Sequence, residues 1–289
     1  MLSVLIVNWN TKDLLRRCLD SLRRFPPSCP MEVIVVDNAS TDGSAEMARA
    51  DFPEVRLLEP GTNTGYALGN NLAFALASGA LLLTLNPDTE VFADTLDNAI
   101  RCLDRHPDAG ALSVRLVGID GSTQRSVRGF PSLMGIFGDV TGLGRSLPGS
   151  ALDSYRLSAF DYESEQLAPQ PMGTFLLFRR IALEGIGDVR RPFDESFPIF
   201  FNEVDLLFRL QAAGWNCVYT PDARLLHHGG ESTKQTRKSM IWESHRSLVR
   251  FLHKHCRTAW NWPAIWIVSG VIMLAAWLRA RGYHAGFGT

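Results

Sequence analysis

The chain has 289 residues and a formal net charge of −1, enough length for a large core and too little charge for a nucleic-acid partner. Nine of its Lys/Arg residues but a single acid, Glu243, fall from Lys234 onward, so an acidic body precedes a basic tail suited to a phosphate-rich surface. Five cysteines, odd in number and without a C-x-x-C pair, exclude a disulfide framework and a zinc site and read as reduced cytosolic thiols. The N-terminus enters a strand at once and lacks a basic n-region, so no signal peptide is expected.

Leu2 to Val7 reads as a short apolar strand that exits at Asn8-Trp9-Asn10. Leu14, Leu15, Cys18, Leu19 and Leu22 form the stripe of a helix from about Thr11 to Arg24, with Asn10 and Asp13 in capping-box spacing. Glu32 to Val36 is a second buried strand, ending in the turn-rich Asp37–Gly43 segment and a short helix through Met47. Val55 to Leu58 is a third strand, and Asn63-Thr64-Gly65 opens a small-residue helix to Ser78. Leu81 to Leu85 is then a continuous apolar run, the pattern of a strand buried on both faces of a parallel sheet. It stops at Asn86-Pro87-Asp88, because proline cannot donate to a ladder and holds Asn86 extended. Asp88 therefore stands past the carboxyl end of a central strand, as a turn residue or as a ligand to something cationic.

A helix (Ala93 to Arg105) and a strand (Gly110 to Leu116) follow, and then a loose stretch from 117 to 170 carrying Gln124-Arg125-Ser126-Val127-Arg128. Met172 to Phe178 reads as a strand, and Asn202-Glu203-Val204-Asp205 opens a helix that closes at Gly214. Trp215–Tyr219 and Arg224–His228 read as two further strands. Alternating strands and helices at this spacing predict βαβ units. No G-x-G-x-x-G and no P-loop motif occurs, which argues against a dinucleotide oxidoreductase or an NTPase.

Five polar clusters fall at strand ends: Asn8-Trp9-Asn10, Asp37-Asn38, Asn63-x-Gly65, Asp88 and His227. Each alone has an ordinary explanation as a cap, a turn former or a structural histidine. In a parallel sheet, however, the strand ends share one rim, where ligands bind. With Met172-Gly-Thr-Phe-Leu-Leu-Phe-Arg179, Phe193-Asp194-Glu195, Phe201-Asn-Glu203-Val-Asp205 and His227-His228-Gly-Gly-x-Ser232, these motifs stand in an order that resembles a known family. It is that of the inverting glycosyltransferases of family 2 with the GT-A fold, in particular their rhamnosyltransferase-like bacterial branch. The resemblance covers about residues 2 to 255.

It implies a Rossmann-like α/β domain with a mostly parallel central sheet flanked by helices, over residues 1–235, and a C-terminal helical tail over 236–289. It also implies a metal-dependent hexosyltransferase that moves a sugar, rhamnose in this branch, from a nucleotide-diphosphate donor to a cell-surface glycan or lipid-linked acceptor. Asp88 corresponds to the last acid of the family's D-x-D element, so it becomes the expected ligand of Mg²⁺ or Mn²⁺, with His227 as a second ligand. Asn86 occupies the first position of that element. By the same analogy Asp37 contacts the base or ribose, and Asn8, Asn10, Asn63, Gly65 and Asn86 line the nucleotide pocket. Glu203 is the expected general base, with Asp205 as alternative or supporting acid; by position alone both are also favoured by the helix dipole, and Asn202 by the cap. Arg125 and Arg128 are either contacts to acceptor phosphate or solvated. A non-catalytic sugar-nucleotide-binding homologue and a nucleotidyltransferase are the alternatives; the second lacks a Gly-rich, lysine-bearing phosphate loop.

The tail is of different material. Ser239 to Cys256 reads as a helix with Arg246, Arg250, Lys254 and Arg257 along one side. Trp262 to Leu278 is apolar apart from Ser269, with tryptophans at or near its ends and Arg279 and Arg281 beyond. At about 1.5 Å per residue it spans roughly 25 Å, slightly short of a bilayer core. An interfacial helix on the inner face of the membrane is the expected reading, with a single spanning helix or a packed terminal helix as alternatives.

Overall fold

A computed structural model describes residues 1–229 and 237–282. In chain order its elements are β1 (Leu2–Asn8), α1 (Lys12–Arg24), β2 (Met31–Asp37), α2 (Ser44–Asp51), β3 (Arg56–Leu58), α3 (Gly65–Phe74), β4 (Leu81–Leu85), β5 (Thr89–Val91), α4 (Thr95–Arg105) and β6 (Ala109–Val117). Then come β7 (Val127–Arg128), α5 (Leu133–Thr141), α6 (Leu143–Ser146), β8 (Gln166–Leu167), β9 (Gln170–Pro171), β10 (Phe175–Arg179), α7 (Arg180–Glu184), α8 (Asn202–Ala212) and β11 (Asn216–His227). The tail forms α9 (Arg237–Phe251), a π turn (Leu252–Cys256) and α10 (Trp262–Ala280).

The main sheet has nine strands in the order β3-β2-β1-β4-β10-β6-β11-β5, with β8 beside β11. Strand β10 lies antiparallel between β4 and β6, while β6 and β11 are parallel to each other. Two reversals cancel, so β1, β2, β4, β6 and β11 all end at one rim. The apolar runs explain the layering. Leu2, Val4 and Ile6 pack toward α1, α2 and α4, whereas Leu5 and Val7 pack toward α3, α7 and α8. Leu83 and Leu82 split between the same two cores, so β4 is buried on both faces, as its composition predicts.

Several local expectations are corrected. Asn10 does not cap α1: its backbone is left-handed, at φ 52°, and its Oδ1 accepts from the Thr41 amide. Asp42, from the loop after β2, accepts from the Lys12 amide instead, at 2.8 Å. Helix α3 stops at Phe74, short of Ser78. The two strands expected after Gly214 are one, bent at an irregularity between Thr220 and Arg224. The loose stretch from 117 to 170 contains two short helices. The first, α5, has a side-chain cap, Ser132 Oγ accepting from the Gly135 amide. Gly230, Glu231 and Ser232 of the His-His-Gly-Gly motif lie outside the described residues.

Candidate active site

The shared rim encloses a cavity of about 460 Å³. Of the residues singled out from the sequence, Asn63, Gly65, Asn86, Asp88, Glu203 and His227 line it. Asn8, Asn10, Asp37 and Asp205 do not, and each is engaged elsewhere.

Asn8 is fully buried; its Nδ2 donates to Asp37 Oδ2 and to Ser40 Oγ, and its Oδ1 accepts from Thr11. Asp37 Oδ1 in turn accepts from the Ser40 amide at 2.8 Å. This web fixes the loop that carries Asn38, which does line the cavity. Asn38 donates to the Gly65 carbonyl and accepts from Thr64, tying the β2 exit to the start of α3. Gly65 is dictated locally. Its φ is 76°, and a Cβ there would lie 2.9 Å from the Pro198 carbonyl oxygen, which accepts from the Tyr66 and Ala67 amides.

Pairing of β11 with β5 sets His227 opposite Thr89, next to Asp88. The His228 amide donates to the Asp88 carbonyl at 3.0 Å, locking that register. His227 Nε2 then faces Asp88 Oδ2 at 3.6 Å. The tautomer follows from Gln124. Its Nε2 donates to the His227 carbonyl at 3.0 Å, so its Oε1 is left to accept from His227 Nδ1 at 2.7 Å. In the neutral imidazole, with its proton on Nδ1, the Nε2 lone pair points at the carboxylate. Two electron-rich atoms facing one another in a buried corner suit a divalent cation held by both, and the second-shell amide is what such a histidine needs. Gln124 was legible only as part of a polar run in which the arginines drew attention. Arg125 is exposed and Arg128 lies over the Tyr155 ring; neither lines the cavity.

Across the cavity, Glu203 sits in the first turn of α8. The cap position is Phe201, left-handed at φ 66°, so Asn202 is not the cap; its Nδ2 donates back to the Ile199 carbonyl at 2.7 Å. Burial pushes the Glu203 carboxyl up to about 7, partly opposed by the amides of Glu203 and Val204. Tyr66 lies between the acids. Its hydroxyl donates to the Gly173 carbonyl, and burial together with the charges of Glu203 and Asp88 pushes its pKa above the usual phenol range. Gly173 lies beside Glu203, where a Cβ would come into ordinary van der Waals contact with Glu203 Cγ at 3.5 Å. Met172, Gly173 and Thr174, expected to begin a strand, instead form cavity wall ahead of β10.

Asp205 is two residues on, about 200° around the helix, and fully buried away from the cavity. Its Oδ2 accepts from Arg209 at 2.8 Å, and its Oδ1 from Lys254 at 2.5 Å and His255 at 2.7 Å. Lys254 also reaches Asp194 at 2.6 Å. Burial alone would raise the Asp194 carboxyl, but the Lys254 ammonium and Ser196 outweigh it and hold it down to about 2. Asp205→Ala would take a charged partner from Arg209, Lys254 and His255 at once, and is expected to cost about 1.5–3 kcal/mol, read as a lowered urea midpoint. Specific activity of the folded fraction should survive; its complete loss would return Asp205 to the chemistry.

A second cluster of metal-ligating types, Cys102, His106 and Glu165, lies at the opposite rim, where α4 ends before β6. Arg105 already neutralises Glu165 at 2.6 Å, and burial with Glu165 pushes the Cys102 thiol up to about 12. It ties α4 to the segment before β8.

The family defined by this fold and rim is shown by the sequence. The family model for glycosyl transferase family 2 matches residues 3–186, and the chain belongs to that family. It is 33% identical to the N-acetylglucosaminyl-diphospho-decaprenol L-rhamnosyltransferase of Mycobacterium tuberculosis, over 97% of this chain and 93% of that one. Its fold is that of a mannosyltransferase from Pyrobaculum calidifontis solved with GDP-Man and Mn²⁺, with a TM-score of 0.58 at 19% identity over 98% of this chain and 75% of that one. S. aureus TarS 1–349 in complex with UDP has the same fold, with a TM-score of 0.54 at 18% identity over 95% of this chain and 80% of that one.

Proposed function

We propose that the protein is an inverting, metal-dependent glycosyltransferase that moves rhamnose from a nucleoside-diphosphate donor to a lipid-linked acceptor at the inner face of the membrane. The observation that carries this reading is the pair of unlike acids facing one cavity. Glu203 is pushed up to about 7, whereas Asp88 stands beside a histidine lone pair. Burial suits Glu203 to take up a proton near neutral pH, and a neighbouring histidine suits Asp88 to share a cation, so the two carboxyls fit different roles. The sugar and the acceptor rest on the mycobacterial relative, whose name gives both L-rhamnose and a diphospho-decaprenol carrier.

In this mechanism the acceptor hydroxyl attacks the anomeric carbon from the side opposite the leaving diphosphate. Its proton passes to a Glu203 carboxylate oxygen, the new glycosidic bond forms as the sugar–phosphate bond breaks, and configuration inverts. Asp88 and His227 would hold Mg²⁺ or Mn²⁺, which supplies neutralisation of charge on the diphosphate when bound. Asn38, Asn63, Gly65 and Asn86 would contact the nucleotide, with Asn8, Asn10 and Asp37 shaping the loop behind them. Residues 1–235 would carry the chemistry, and 236–289 would contribute to contact with lipid.

Calorimetric titration with a panel of nucleotide sugars, with and without Mn²⁺, tests the reading. Binding of one donor, dependent on metal, is expected; no binding by folded protein across the panel would sink it. Gln124→Leu removes the acceptor that holds the Nδ1 proton and should weaken Mn²⁺ binding about 10–100-fold. Unchanged Mn²⁺ affinity would remove His227 from the ligand set.

A further inference from the structure

Contact with a membrane does not by itself say which surface meets the lipid, or whether α10 crosses it. The exposed side of α10 is apolar throughout, carrying Trp262, Trp266, Ile267, Val271, Leu274 and Trp277 outward, with Ile267 70% and Trp266 59% exposed. A solvated helix carries its polar residues on that side. The buried side, Ile265, Ser269, Ile272 and Ala276, recurs every three to four residues along the whole helix. It seats on α9. Ile265 and Ile272 share a cluster with Leu248 and Leu252, and His253 Nε2 lies 3.1 Å from Ser269 Oγ. At the other end the Arg279 charge depresses the His245 imidazole, which burial already lowers. The two helices therefore run antiparallel along their length.

This contact decides between crossing and lying flat. Helix α9 is bound to the catalytic body through Phe251 against Phe208, and it carries Glu243, Arg246 and Arg250. A spanning α10 would either abandon its buried face or drag those charges into hydrocarbon, which is costly.

The same apolar cluster takes in Ile136 of α5, with Leu133 and Val140 packed against it. On their outer sides α5 and α6 expose Met134, Phe137 and Leu143, which with the exposed Leu147 just after α6 make a second apolar set about 130 residues upstream of the first. Along these two segments the exposed charges have one sign. Arg145, Arg257 and Arg281 are exposed, while Asp139, the only acid of α5 and α6, is buried and paired with Arg156. No acid occurs from 257 to 282. Apolar area ringed by tryptophan and arginine is what an anionic bilayer surface binds.

We infer that α5, α6 and the outer side of α10 form one monotopic docking face, on which the protein lies flat against an anionic bilayer with α10 in the plane of the headgroups. Ser239 and Met240, at the start of α9, line the catalytic cavity, so the helix that backs the docking face also borders the substrate site. Chain that sits on lipid thereby holds the cavity beside it.

Flotation of the full-length protein with vesicles of phosphatidylcholine, alone or with 30% phosphatidylglycerol, tests this without any donor sugar, so its outcome is separate from the transferase reading. Binding should favour the anionic vesicles and be stripped by alkaline carbonate. Met134→Glu with Phe137→Glu should lower it at least tenfold with donor affinity unchanged. Because these changes can disturb folding, Arg145→Glu, Arg257→Glu and Arg281→Glu together provide a second reading on exposed positions, again with at least a tenfold loss on anionic vesicles. Unchanged binding of a folded α5 variant or of the charge variant would overturn the composite face. Carbonate-resistant protein would show a spanning helix instead. A lipid-free dimer broken by the same α5 substitutions, with no flotation, would make a second copy the occupant.

Discussion

Glu203→Gln is expected to lower the rate of transfer by about 10²–10⁴-fold, the contribution of a positioned general base, while donor affinity stays essentially unchanged. The substitution keeps the shape of the side chain but removes the proton acceptor. Its pH signature is specific. Burial lifts the folded-state carboxyl from its ordinary 4.5 to about 7, so wild-type kcat/KM should fall tenfold per pH unit below about 7 and level off above it. Stability should move the opposite way. A carboxyl whose folded value is raised contributes stability that is complete below pH 4.5 and is lost as pH rises through 7, on the order of 3 kcal/mol for this shift. Wild type should therefore weaken between pH 4.5 and 8 in urea titrations, and Glu203→Gln should lack that component. A variant that keeps full turnover with an unchanged pH limb would move the base elsewhere.

The second large effect is expected at Asp88. Asp88→Ala leaves the His227 lone pair without its opposing carboxylate, and Mn²⁺-dependent donor binding should weaken by at least about 100-fold, roughly 2.7 kcal/mol. The direct readout is binding of Mn²⁺ itself, followed by its paramagnetic resonance, which does not depend on turnover. His227→Ala should act in the same direction. Undiminished Mn²⁺ binding in both variants would place the cation elsewhere and leave Asp88 as the residue that ends β4.

Much of this was legible in the chain. Continuous leucine and valine runs reported β1, β2 and β4 because a strand covered on both faces admits no polar alternation, and proline after Asn86 fixed where Asp88 would emerge. The rim could be assembled from strand ends alone. What sequence could not report was direction and environment. Strand β10 reads like its neighbours because burial, not polarity, writes its composition, yet it runs antiparallel. Glu203 and Asp205 look equivalent as first-turn acids. Their separation of about 200° around the helix sends one to the cavity and the other to Arg209 one turn on and to Lys254 and His255, two partners about 50 residues away that no local pattern announces. The buried web around Asn8 and Asp37 is a similar case. Side chains that resemble ligands in sequence are occupied with one another, and the neighbour they hold, Asn38, reaches the cavity.

The Lys254 clamp sets an order on the making of the protein. Every strand of the sheet and both acids of the cavity lie before residue 228, but the helix bearing Glu203 is pinned by Phe251, Lys254 and His255. A nascent chain can complete its sheet while the last turn of that anchorage is still inside the ribosome. The segment that supplies the anchorage continues directly into α10. Anchorage of the helix bearing Glu203 and emergence of α10 thus fall within the same few seconds of synthesis, at about 5–20 residues per second. On the proposed mechanism, the base is therefore locked in place only as the docking helix appears.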